Sequence, residues 1–132
     1  MKRYVTEAGS VVVRRLMREP VATSRVSEVE VASALARLAR EGSLSTTERD
    51  RATARLTKDF ETFWVVEVSV EVVALARAAL QRHPLRAGDA LQLASCQLLR
   101  RELEEDVPMV VFDERLATAA TALGIPVIPA SQ

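Results

Sequence analysis

The chain has 132 residues, 48% of them hydrophobic and only four of them glycine, enough for one domain with a true core and too few for two comfortable ones. Eighteen basic residues balance eighteen acidic ones, so no global positive field draws in a polyanion, and any such attraction has to come from local arginine clusters. The single Cys96 excludes an intrachain disulfide and a multi-cysteine zinc site, and the lack of a secretory signal or of an apolar run of about 18 residues predicts a cytoplasmic protein with no membrane partner.

An opening helical region ends at Arg18-Glu-Pro20. Val21 to Ser24 then reads as a short buried strand, with Ser24 placed to cap the helix after it. From about Arg25 to Glu41 that helix carries Val31, Leu35 and Leu38 on one face and stops at Gly42. Ser45 starts another helix, through Thr62, whose run from Glu48 to Arg51 predicts a solvated face. Phe63 to Val68 is aromatic and β-branched, hence a strand. The next helix runs from about Val70 to Arg82 and is broken by His83-Pro84. Asp89 opens another, which reaches about Glu104, and a turn through Pro108 leads into a strand ending at Phe112. After a helix that stops at Gly124, Ile125 to Ile128 makes a last strand whose prolines mark an edge. Strands alternating with helices predict a mostly parallel sheet covered on both faces.

Three acids stand out on this scaffold. Asp113 lies at the carboxyl end of an apolar strand, the edge of an α/β sheet where ligands usually bind. It also precedes a helix directly, and aspartate is a preferred N-cap; Asp89 has the same two readings. Glu30 has Val26 and Ala34 four residues to either side, so part of its surroundings is apolar. A cation would satisfy such a carboxylate, and so would Arg37, seven residues on. Together the three predict one metal-binding cleft. Oxygen-only ligands suit magnesium or manganese, whereas zinc or copper calls for histidine or cysteine, each present once. His83 reads as a surface histidine in a turn, and Cys96, near Leu93, Leu98 and Leu99, as a reduced packing thiol. Lys2 and Lys58 are the only lysines; an arginine-dominated set suits bidentate contacts to phosphate where it converges on a site.

Three blocks carry a family resemblance: Ser24-Arg-Val-Ser-Glu-Val-Glu30, Leu85-Arg-Ala-Gly-Asp89-Ala-Leu-Gln-Leu-Ala94, and Phe112-Asp113-Glu-Arg-Leu-Ala-Thr-Ala-Ala120 with Leu123-Gly-Ile125. In order and spacing they resemble the second, third and fourth conserved blocks of PIN-domain ribonucleases, specifically VapC-type toxins of toxin–antitoxin pairs. The resemblance covers almost the whole chain as a single domain, residues 1–132. It implies a three-layer α/β/α fold and a magnesium-dependent (or manganese-dependent) endoribonuclease. Asp89 and Asp113 would be metal ligands, with Glu30 a third ligand or the group that orients the water; all three would be catalytic. Ser24 would support the site from behind, although capping also explains it. Arg25, Arg86 and Arg115, close in sequence to the acids, would hold single-stranded or looped RNA. The implied partners are the RNA, an antitoxin and a second copy in a homodimer.

The resemblance leads us to expect that the family's apolar first strand, ending in Asp-x-Ser, is missing here, with Met1 falling in the helix after it. Three of the four family acids are therefore carried over. The missing strand would be central, and each backbone group left unpaired in a core costs about 1–3 kcal/mol, so a chain of this length is expected to be marginal, with a mis-assigned start or trimmed sequence as the explanation. Two other classes compete. One is a catalytically impaired PIN-like scaffold that binds an antitoxin or itself, through a groove drawn from Val11, Val12, Leu16 and Met17. The other is a phosphoacceptor domain, which fits less well because it wants paired acids after the first strand and a late lysine.

Overall fold

A computed structural model of the chain describes residues 21–128. The expected opening helical region and the groove at Val11, Val12, Leu16 and Met17 lie outside them. The chain divides into two compact units, Met1–Val65 and Val66–Gln132.

In the first unit, strand β1 (Ala22–Ser24) leads directly into helix α1 (Arg25–Arg40). Ser24 makes the junction, its Oγ accepting the Val26 N–H at 3.3 Å. The helix ends where glycine was expected to end it. Gly42 has φ +81°, the Ser43 N–H reaches back to the Leu38 carbonyl at 2.9 Å, and the Gly42 N–H reaches that of Ala39 at 3.2 Å. This is a Schellman closure, and it requires the left-handed conformation that glycine adopts without strain. Helix α1 packs on α2 (Thr46–Thr62), with Leu35, Ala52 and Leu56 buried. β1 pairs with β2 (Trp64–Val66), the Trp64 N–H donating to the Val21 carbonyl at 3.0 Å. This strand is shorter than the Phe63 to Val68 stretch that its composition suggested.

The solvated run at the start of α2 has a second role that its charge pattern did not reveal. The Glu48 N–H donates to Ser45 Oγ at 3.1 Å while the Ser45 N–H donates to Glu48 Oε1 at 3.0 Å, a reciprocal capping box. The Ser45 N–H, and after it the Ser45 hydroxyl, hold the Glu48 carboxyl below its ordinary value of 4.5. A depressed folded-state pKa means that the box's contribution is present above that value and is lost as pH falls through the lower one. Ser45→Ala should therefore cost about 1 kcal/mol in urea unfolding at neutral pH, and less in acid.

The second unit carries helices α3 (Val70–Arg82) and α4 (Ala87–Leu103), strand β3 (Met109–Val110), helix α5 (Glu114–Ala122) and strand β4 (Val127–Ile128). Ser69 Oγ caps α3 by accepting the Val72 N–H at 3.2 Å, and Val72, Ala76 and Ala79 are buried at helical spacing. Alanine at Ala76, Ala90 and Ala94, clustered with Val72, lets α3 and α4 approach closely. A second cluster joins Leu93 of α4, Met109 and Val111 around β3, and Leu116, Ala119 and Ala120 of α5. Full burial of Leu93 alone stabilises by about 1.5–3 kcal/mol.

β3 and β4 run parallel, Met109 opposite Val127 and Val110 opposite Ile128, and α5 makes the crossover that a parallel pair needs. At its end Gly124, at φ +77°, closes a second Schellman motif: Ile125 N–H to Ala120 carbonyl and Gly124 N–H to Thr121 carbonyl, each 3.0 Å. Cys96 packs against this core, and burial pushes its thiol up while Arg100 opposes the rise. That is the inert, protonated cysteine its helical setting implied.

Candidate active-site cleft

Helix α4 and helix α5 both begin at one cleft of about 440 Å³, lined by Pro84, Arg86, Asp89, Phe112, Asp113, Glu114 and Arg115. Its position is set by the parallel pair. The carboxyl end of β3 delivers Val111 to the core and Phe112 to the surface, and Asp113 then starts α5 on the rim where open α/β sheets bind ligands.

The capping readings of the two aspartates come out differently. Asp113 is a true N-cap: its Oδ1 accepts the Leu116 N–H at 3.0 Å. One oxygen is thus committed to the helix, while Oδ2 has no protein partner among the described residues. Asp89 does not cap. Arg86 occupies the N-cap of α4, contributing no side-chain hydrogen bond, and Asp89 is the third helical residue. The expectation that Asp89 opens this helix is corrected: the helix takes up Ala87 and Gly88 first, which puts Asp89 in its first turn, where the helix dipole favours an acid without any capping bond. Half-buried, Asp89 makes no hydrogen bond or ion pair among the described residues. The bland explanation of its presence is therefore removed.

Both carboxylates stand in the first turn of a helix, where the partial positive charge of the N-terminus favours an anion. Arg86 and Arg115 are exposed on the same cleft, and neither has an ion-pair partner among the described residues. By contrast, Arg25, in the first unit, is bonded to Glu28 at 2.9 Å. Glu114 also lines the cleft. It was not singled out from the sequence, and its place beside Asp113 at the first helical position was the available signal. Glu30 and Ser24 lie in the first unit, Glu30 half-buried on α1 and Ser24 buried with its hydroxyl on the Val26 N–H. Arg37 turns to Glu41, at 4.0 Å, rather than to Glu30. Among the described residues no three of His, Cys, Asp and Glu form a group able to hold a metal ion. The pair Asp89 and Asp113 offers oxygen donors only, the chemistry of a hard divalent cation.

The split role of Asp113 is testable. Asparagine caps a helix as well as aspartate does, so Asp113→Asn should leave the unfolding midpoint in urea nearly unchanged. Asp113→Ala should lose about 1 kcal/mol.

The PIN-domain family model matches residues 6–122. The chain therefore belongs to the PIN-domain family, whose fold is a three-layer α/β/α arrangement and whose members are generally metal-dependent nucleases acting on RNA. PIN domains typically bind divalent metals. No curated protein matches the chain. Among the described residues, no helix is long and apolar enough to cross a membrane.

Proposed function

We propose that this chain is a magnesium-dependent endoribonuclease of the VapC type, the toxin of a toxin–antitoxin pair, forming one PIN domain and acting on single-stranded or looped RNA. The observation that carries the reading is the cleft itself: among the described residues Asp89 has no partner and Asp113 has a spare oxygen, and Arg86 and Arg115, also unpaired there, share the lining. Asp89 and Asp113 hold the cation. Glu30 is included as a third ligand, or as the group that orients the attacking water, on the strength of its sequence block alone, and Ser24 likewise as its support. When bound, the cation polarises a phosphodiester and lowers the pKa of a bound water.

The chain's own groups do the rest. Arg86 and Arg115 neutralise phosphate charge, giving affinity that falls as salt rises. The Asp113 cap fixes its carboxylate against α5, so that Oδ2 is held rather than free to rotate. Arg25, from the first sequence block, adds a further phosphate contact.

Purified protein should cleave a mixed-sequence RNA in magnesium, less or equally well in manganese, and not at all with excess EDTA. Cleavage unaffected by EDTA would sink the proposal. A second reading is favoured by one observation, that no three acidic or ligating residues group together among the described residues. On that reading the chain is a catalytically impaired scaffold that binds an antitoxin or itself. Calorimetric titration separates the two, since the scaffold takes up no magnesium at millimolar concentration.

A further inference from the structure

We infer that the exposed side of α2, with Trp64 just beyond its end, is a docking surface for the phosphate backbone of RNA, built from residues that do not line the cleft; this deepens the ribonuclease reading above and rests on it. Arg51, Arg55 and Lys58 stand at i, i+4 and i+7, the spacing that puts side chains on one side of a helix. All three are exposed, whereas Ala52, Leu56 and Asp59 beside them in the chain are buried. The cations therefore form a stripe about 10 Å long. None of them makes a hydrogen bond or ion pair among the described residues. The nearby acids are otherwise engaged or stand apart. Asp50 is held by Arg49 at 3.2 Å, Glu48 is bonded within the Ser45 capping box, with Arg51 the least of the influences on its carboxyl, and Glu61, three residues after Lys58, forms no bridge with it.

Like charges four residues apart repel on a helix, so this spacing works against α2 on its own, and a polyanion laid along the stripe relieves it. On a chain of balanced charge attraction for RNA has to come from a local cluster of this kind, and a run of phosphates is complementary to cations spread along a helix. The indole adds a contact of another sort. Trp64 is 61% exposed, two residues past the last of α2, and its ring makes no hydrogen bond or ring contact among the described residues. Positive side chains that follow the backbone, together with an aromatic ring, hold nucleic acid without reading its sequence.

Trp64 is the only tryptophan, so its fluorescence reports on this surface alone. The test uses the whole chain carrying Asp89→Asn, so that RNA is bound without being cut, and a labelled short RNA oligonucleotide whose anisotropy measures affinity. Binding should quench Trp64. Adding Arg51→Gln, Arg55→Gln and Lys58→Gln together should weaken binding at least roughly 10-fold and lower the slope of log affinity against log salt by about 2. The urea midpoint of that variant should be unchanged or higher, because repulsion along α2 is removed. Should the triple variant not fold, Arg55→Gln alone is compared, with the slope lowered by about 0.7. Equal affinity and equal slope with and without the cations would overturn the surface. So would RNA binding that leaves Trp64 unquenched, or polyglutamate that binds and quenches as well as RNA, which would give this face to an acidic protein. A slope that depends on the stripe in a protein that never cuts RNA would uphold the surface while removing the nuclease; cleavage by a protein whose affinity ignores the stripe would do the reverse.

Discussion

Asp89→Asn should reduce magnesium-dependent RNA cleavage at least about 100-fold while leaving the protein folded. Asparagine keeps the shape but loses the negative charge, and metal-mediated charge stabilisation of the transition state is worth several kcal/mol, with each 1.36 kcal/mol a factor of ten in rate. The structural effect is small. Asp89 bonds to no described residue, and its only stabilising position is the first turn of α4, an effect of roughly 0.3–1 kcal/mol that salt screens. Activity and stability therefore separate for this residue, as they should not for a core position. Two measurements decide it: single-turnover cleavage in magnesium, and the urea midpoint of the same preparations. Asparagine and wild-type proteins that cut equally would identify a contaminating nuclease; an asparagine protein that fails to fold would give Asp89 a structural role that its isolation in α4 does not support.

Much of the framework is legible in the residues themselves because local chemistry dictates it. Ser24, Ser45 and Ser69 cap, Gly42 and Gly124 close, and between them the helices fall within a residue or two of where side-chain periodicity puts them. The start of α4 is the exception. Asp89 comes after a glycine and precedes an apolar run, which is what an N-cap looks like, yet the cap is Arg86, whose side chain does no capping. A cap preference worth about 1 kcal/mol does not by itself fix where the first turn begins. That misplacement had a functional consequence, since it kept a structural excuse for Asp89 that the geometry removes. Asp113 shows the reverse: capping and ligation are not alternatives, because a carboxylate has two oxygens and the cap uses one. Phe112 and Glu114 were legible only as neighbours of Asp113. Phe112 follows β3 and Glu114 opens α5, so where they face depends on how β3 pairs with β4, and that pairing of Met109 with Val127 spans too many residues for a local pattern to specify.

Arg100→Ala should be the most destabilising single change outside the apolar core, at about 2–3 kcal/mol, because one guanidinium closes the whole connection between α4 and β3. Its Nη1 donates to the Val107 carbonyl at 2.6 Å and its Nη2 to Asp106 Oδ1 at 2.8 Å, with the Gly124 carbonyl at 3.5 Å from Nη2. The last is at the limit of a hydrogen bond and contributes little. The first is the important one: the donor is charged, the Arg100 side chain is only 18% exposed, and deletion leaves a partly buried carbonyl unpaired. The Asp106 pairing is weaker than its length suggests, since that carboxylate is 86% exposed and surface pairs are worth about 0–1 kcal/mol. The clasp also holds a strained turn, for Glu104 ends α4 in the left-handed conformation at φ 54°, which costs a non-glycine residue about 1–2 kcal/mol. Without Arg100 that strain has one fewer contact to oppose it, and the strand that presents Phe112 and Asp113 loses its anchor. Urea unfolding should show a lower midpoint at unchanged slope, and cleavage should persist in the cold and fail on mild warming. Asp106→Asn should cost less than about 1 kcal/mol, and Arg100→Lys should fall between, since an ammonium cannot span both acceptors as the planar fork does. Alanine and wild-type proteins unfolding at the same urea concentration would show that the turn is held by its backbone alone.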